Sequence, residues 1–402
     1  MVELIKIGLV FFMILVFMFK KVNLWISLLS ATVVMGLLFR LSVTKIAIDL
    51  LSSVWDEKTL LLVGALVAIL FFSNLLKETG RMNEILEGFR NIFKDVRVVI
   101  ALLPAIIGLM PMVGGALVSA PIVVAGSDEL KLSPERRTFI NYWFRHLWEY
   151  ILPTYPALVL AATLLGIPVR KLGWINLPLT PAAILSGIFF GFWGVSKSVR
   201  EEENSSSTSS VWGLFKNLCP LVFAIFLVVV FKVELVYAFG MTILGMIIFY
   251  RIGRREVLKG FKESLSIELL LTVVIVMGFK KVLESSQAIP AVSATLSSSG
   301  IPLWLIAMLI PFLIGLITGW TIAPVAIGFP ILIPLLQNGS NFLNHIMLAF
   351  ASGIGGTLLS PLHLCLVLTK EYFQADWKGV YRLVWIPVTS VLAVGFLVTL
   401  FR

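Results

Sequence analysis

Ionisable side chains are scarce in the apolar part of this 402-residue sequence, so each one found there is a candidate for chemistry. The densest group is Asn141-Tyr142-Trp143-Phe144-Arg145-His146-Leu147-Trp148-Glu149-Tyr150. On a continuous helix Asn141, Arg145 and Glu149 share one face, and His146 lies beside Glu149 at i, i+3 spacing. Two roles fit Glu149: proton carriage or cation binding, or a structural pair with Arg145 or His146. A rise of about 1.5 Å per residue puts Arg145 roughly 13 Å from the Pro153-Thr154-Tyr155-Pro156 interruption, which lets it snorkel to the cytoplasmic interface. His363, just past Pro361, either lines a cavity as a proton-sensitive group or anion contact, or packs as a satisfied histidine. His345 reads as structural, and Trp143, Trp148 and Trp377 read as interface or core aromatics.

Glycines and hydroxyls form the second chemical set. Gly114, Gly115, Ser119 and Thr154 lie in the first half, and Thr318, Gly319, Thr321, Ser352, Gly355, Gly356, Thr357 and Ser360 in the second. Glycine admits close backbone approach to a ligand, and hydroxyls supply oxygens for an ion or solute. The alternative reading of these glycines is close helix packing through small residues. Cys219 and Cys365 sit in apolar segments and read as small core thiols, so neither a disulfide nor a metal site is expected.

The segments that carry these residues belong to a membrane. The chain is 59% apolar and 13% charged, with a mean hydropathy of +1.00. Both fractions lie outside the range of soluble domains, which excludes disorder, coiled coil and collagen as well. The net charge of +10 comes from basic residues between apolar runs, which speaks for cytoplasmic loops rather than nucleic acid. Runs long enough to span a bilayer fall at 4–19, 22–39, 59–77, 136–166, 178–196, 213–231, 233–250, 265–284, 342–372 and 380–401. The first stops at Lys20-Lys21 without a cleavage pattern and reads as a span rather than a removed signal. No cofactor is expected, and no soluble catalytic domain.

Two further stretches, 97–125 and 301–336, are interrupted at their centres by glycine and proline. Backbone exposed to lipid cannot leave its polar groups unpaired, so both read as re-entrant hairpins with tips at Pro111 to Gly115 and Thr318 to Thr321. Amphipathic stretches at 81–94 and 285–299 precede them. Residues 102–110 (LLPAIIGLM) and 309–317 (LIPFLIGLI) agree at five of nine positions at a constant offset of 207. The expected fold is therefore an all-α polytopic membrane protein of two inverted repeats, about ten transmembrane helices and two hairpins. Repeat one covers 1–197 with a broken helix at 136–166, a polar linker covers 198–212, and repeat two covers 213–402 with a broken helix at 342–372. With both termini outside the cell membrane, basic residues favour the cytoplasm by roughly two to one.

Paired discontinuous helices suit a secondary transporter, because half-helix N-termini face anions and unwound carbonyls ligate cations. The sequence thus predicts a carrier for a small anionic solute coupled to Na⁺ or H⁺, with a cation/proton antiporter using Glu149 as the alternative. A hydrolytic set of Ser360, His363 and Glu149 lacks a nucleophile elbow, and a passive channel suits hairpins from opposite sides less well.

The hairpin-plus-broken-helix pattern resembles the ion transporter superfamily of dicarboxylate, citrate, gluconate and arsenite carriers. The segments Asn141 to Tyr150, Leu109 to Ala116 and Leu359 to Cys365 look like the signatures of a prokaryotic membrane family within it, known as domain of unknown function 401. The resemblance implies an elevator mechanism and a homodimer. Dicarboxylate carriers place Ser-Asn-Thr at their hairpin tips, whereas this chain has Met112-Val113-Gly114-Gly115 and Gly319-Trp320-Thr321. The sodium sites resting on that motif do not transfer.

Overall fold

A computed structural model describes residues 2–111, 115–198, 207–286, 301–337, 339 and 341–401. Gly114 at the first tip, the 285–299 stretch beyond Ser286 and linker residues 199–206 lie outside the described residues. The chain is 79% helix, with no strand among the described residues. In order, the helices are α1 Val2–Phe19, α2 Leu24–Leu38, α3 Val43–Val54, α4 Glu57–Glu78, α5 Arg81–Ile92, α6 Val96–Ile107 and α7 Gly115–Ser127. There follow α8 Pro134–Arg145, α9 Pro156–Leu165, α10 Val169–Ile175, α11 Leu179–Phe192, α12 Ser207–Val229, α13 Leu235–Phe249, α14 Arg254–Ser264 and α15 Ile267–Ser285. The last are α16 Leu303–Thr318, α17 Phe329–Leu336 after a π-helical turn at Pro324–Gly328, α18 Phe342–Leu359, α19 Leu364–Phe373 and α20 Trp377–Phe401.

Helix starts follow from the polar residues between apolar runs. Ser42, Asp56, Asp95 and Ser133 each accept a backbone N–H of the first turn, and Pro134 fills the first position of α8, where no donor is needed. The stretch predicted to lie flat at 81–94 is helix α5, with Met82, Ile85 and Leu86 buried. Helices α3 and α14 were not foreseen, because their mixed faces carry no long apolar run.

Four segments among the described residues are long and apolar enough to cross a bilayer unaided: Glu57–Glu78, Trp212–Val229, Phe342–Phe373 and Trp377–Phe401. Of the ten runs read from sequence, those at 22–39, 178–196 and 233–250 are present as shorter helices. Fifteen-residue α2, for example, reaches about 22 Å against about 30 Å of hydrocarbon. The outer face is apolar: Phe12, Leu185, Val222, Ile248 and Trp385 are all more than half exposed. A monomeric protein in water does not carry so much large apolar surface, whereas lipid accommodates it.

Packing sorts the helices into two groups that cut across chain order. Helices α1 to α5 pack with α12 to α15, as in the α2–α15, α4–α14 and α5–α12 contacts. Helices α7, α8 and α11 pack with α19 and α20, α6 joins them through α7 and α8, and α16 joins through α18, while α1 also touches α16 and α5 touches α6. Helix α9, α17 and the π-helical turn lie between the groups, touching α4 and α15 on one side and α16 and α18 on the other. At the tightest pairing, α16 with α18, a Cβ on Gly315 would strike the Gly353 carbonyl and one on Gly356 the Phe312 carbonyl. Only glycine lets these two backbones approach so closely.

Candidate functional site

Helix α8 ends at Arg145 because a side chain takes over a backbone bond. In a continuing helix the His146 N–H would donate to the Tyr142 carbonyl. Instead the His146 ring Nδ1 donates to that carbonyl at 2.6 Å, while its N–H turns to the Trp143 carbonyl at 3.0 Å. The chain leaves helical geometry and runs as turns through 146–155 until Pro156 opens α9. The break is thus longer than the proline-centred one expected at 153–156 and begins earlier. Pro153 and Pro156 decide where helix resumes, not where it stops. Glu149 consequently lies in the unwound segment and does not share a helical face with Asn141 and Arg145.

The unwound segment satisfies the end of α6. Trp148 Nε1 donates to the Ala105 carbonyl at 2.8 Å, Thr154 Oγ1 to Leu109 at 3.2 Å, and the Tyr155 hydroxyl to Gly108. These are terminal carbonyls that a helix leaves without internal partners. Gly108 also has no room for a Cβ, which would collide with the Arg145 carbonyl.

The second break, expected between Gly353 and Pro361, is confined to the far end of that stretch, because Gly353 to Leu359 remain helical. Helix α18 ends at Leu359, the Ser360 hydroxyl accepts the Leu362 N–H at 3.2 Å, and α19 restarts at Leu364. Helix α16 ends against it through Gly319, whose φ of +64° is the left-handed conformation that favours glycine. A Cβ there would sit 2.7 Å from the His363 backbone nitrogen. His363 Nδ1 donates to the Gly319 carbonyl at 2.7 Å, which fixes the ring over the break.

The two breaks meet. His146 Nε2 and His363 Nε2 stand 3.2 Å apart, and Glu149 Oε1 is 3.9 Å from the former. Arg145 Nη1 donates to Cys365 Sγ at 3.0 Å. The Tyr142 ring closes one side, its centroid 4.7 Å from His146 and 5.7 Å from His363, with its hydroxyl bonded to the Leu358 carbonyl. Arg145, His146, Glu149 and His363 are each at least 93% buried. Arg145 does not snorkel to an interface as expected: a thiol 220 residues away in sequence holds it inside.

The structure brings Arg145, His146, Glu149, Gly319, Ser360 and His363 into this one cluster. Other predicted residues serve elsewhere. Ser119, Thr318 and Thr357 bond to carbonyls of their own helices, and Thr154 to α6. Gly355 packs on Val388 and Leu392 of α20, and Gly356 on α16. Gly115 is the buried first residue of α7, Thr321 is partly exposed beyond α16, and Ser352 is buried with its Oγ unbonded. His345 bonds to the Asn341 carbonyl, and Trp143 to Ala183. Sequence reasoning missed Cys365, whose signal was its position two residues after His363. It also missed Tyr142 as the wall of the cluster. Cys219, the other thiol, is exposed.

A family described as protein of unknown function (DUF401) matches over residues 4–401. No curated protein matches the chain. Among solved structures, the fold is similar to that of the YdaH transporter of Alcanivorax borkumensis, reported to have an unusual topology. The likeness covers 84% of each chain with a TM-score of 0.60 at 14% sequence identity.

Proposed function

This chain belongs to the DUF401 family, and on the strength of its membrane fold and buried cluster we propose that it is a secondary active transporter of a small anionic solute. The observation that carries this reading is the meeting of two unwound segments, 146–155 and 360–363, around Arg145, His146, Glu149 and His363 in a bundle with a lipid-type exterior. Buried charge at broken helices is costly in a membrane and marks a solute or ion path. Arg145 and the N-terminal ends of α9 and α19 offer positive potential to an anion. The fold shared with a transporter agrees with this reading.

Two inverted repeats account for the glycines that match at offset 207. Gly108 lies on the Arg145 carbonyl and Gly315 on the Gly353 carbonyl, so each marks the same close approach to its own broken helix. The two packing groups suit an elevator: α1 to α5 with α12 to α15 form the scaffold of a homodimer in the cell membrane, both chain ends outside. The other group carries the solute, coupled to Na⁺ or H⁺.

A second reading is a cation/proton antiporter. It is favoured by Glu149, whose buried Oε2 has no hydrogen-bond partner among the described residues. A thermal-shift screen of purified protein against organic and inorganic anions, with and without Na⁺, tests the first reading, since a ligand of the folded state raises apparent stability. Flux of the selected anion into proteoliposomes then separates the two. Anion uptake that survives Glu149→Gln supports the carrier. Cation/proton exchange lost in Glu149→Gln, with no anion uptake, supports the antiporter.

A further inference from the structure

The hydrogen bonds of the two histidines fix which ring nitrogens face each other. Both Nδ1 atoms face backbone carbonyls, of Tyr142 at 2.6 Å and Gly319 at 2.7 Å, and a carbonyl can only accept, so both Nδ1 atoms carry the proton. Each neutral ring then presents an unprotonated Nε2, and these two lone pairs point at one another across 3.2 Å. Two acceptors at that distance repel unless a proton or a metal ion joins them, and the Cys365 thiol beside both rings has a single proton to give. Nitrogens each about 2.0 to 2.1 Å from a tetrahedral ion stand about 3.3 Å apart, close to the spacing seen.

We propose that His146 Nε2, His363 Nε2 and Cys365 Sγ form a binding site for a borderline-soft metal ion of the Zn²⁺ type. The three ligand atoms lie within 4.8 Å of one another. The outer contacts are those that metal-bound residues need. A carbonyl bonded to the far ring nitrogen fixes the tautomer and orientation of each histidine. The Arg145 guanidinium lies 3.0 Å from Sγ, where it would face the charge of a metal-bound thiolate. Glu149 is the fourth group at hand: Oε1 lies 3.9 Å from His146 Nε2, and Oε2 is buried without a hydrogen-bond partner among the described residues. Two imidazoles, a thiolate and a carboxylate favour Zn²⁺ over Mg²⁺, Ca²⁺ or Na⁺, which prefer all-oxygen sites. The site needs both breaks, since His146 comes from the first, and His363 and Cys365 come from the second and the helix that follows it.

The test uses the full chain, purified, freed of any affinity tag and stripped with a chelator. Cobalt(II), a spectroscopic substitute for zinc, should add a thiolate-to-metal charge-transfer band, and Zn²⁺ should abolish that band in equimolar amount and raise the unfolding temperature. The band should persist in Cys219→Ser and vanish in Cys365→Ser. No thiolate band in the wild-type protein, or loss of the band in Cys219→Ser, would overturn the proposal. Both of these readouts leave the cluster itself unmutated, so the test holds whether or not Cys365→Ser folds. Binding is read without any flux, so its failure leaves the transport reading standing, and absence of transport leaves the metal site standing.

Discussion

At the level of single residues, the cluster was half legible. Arg145, His146, Glu149 and His363 stood out because ionisable groups are expensive in lipid and few are present. Cys365 did not, since a thiol reads as a small apolar residue until its neighbours are known. The inward course of Arg145 was equally hidden, because its partner comes from another helix. Gly319 gives the clearest residue-scale prediction. An L-residue in its left-handed conformation costs about 1 to 2 kcal/mol, and an added Cβ would also press on the His363 backbone nitrogen at 2.7 Å. Gly319→Ala should therefore destabilise more than Gly80→Ala, where φ is +72° but nothing lies within 4 Å. Thermal unfolding in detergent measures the difference, and equal losses would show that the contact with the second break carries no energy.

Among the elements, the long apolar helices were foreseen, whereas α3, α14 and the start of the first break were not. Apolar runs give helices whatever packs around them, so α1, α2, α4, α11, α13 and α20 fall close to the runs read from sequence. The start of the first break escaped because nothing in the local pattern says that the ring of His146 will take the Tyr142 carbonyl from its own backbone N–H. Proline was the visible signal, and it marks the far end. The pairing of α16 with α18 supplies an element-scale test. Gly356→Val would drive a side chain into the Phe312 carbonyl and should cost about 1 to 3 kcal/mol, as overpacking does. Gly240→Ala within α13 meets open space and should instead stabilise by about 0.5 to 1 kcal/mol. Chemical or thermal denaturation of both variants checks the contrast.

For the whole molecule, the sequence leads one to expect a repeat but says nothing of which helices share a group. That grouping rests on contacts such as α4 with α14 and α8 with α19, made between halves of the chain. If the two groups move against each other as an elevator, the buried cluster must open to each side of the membrane in turn. Cys365 sits inside it, and exposed Cys219 is removable. The decisive measurement is labelling of Cys365 in a Cys219→Ser background, in chelator-treated proteoliposomes, by a membrane-impermeant thiol reagent applied to one face and then the other. Alternating access predicts slow modification from both faces. Modification from one face alone, or from neither, would contradict it.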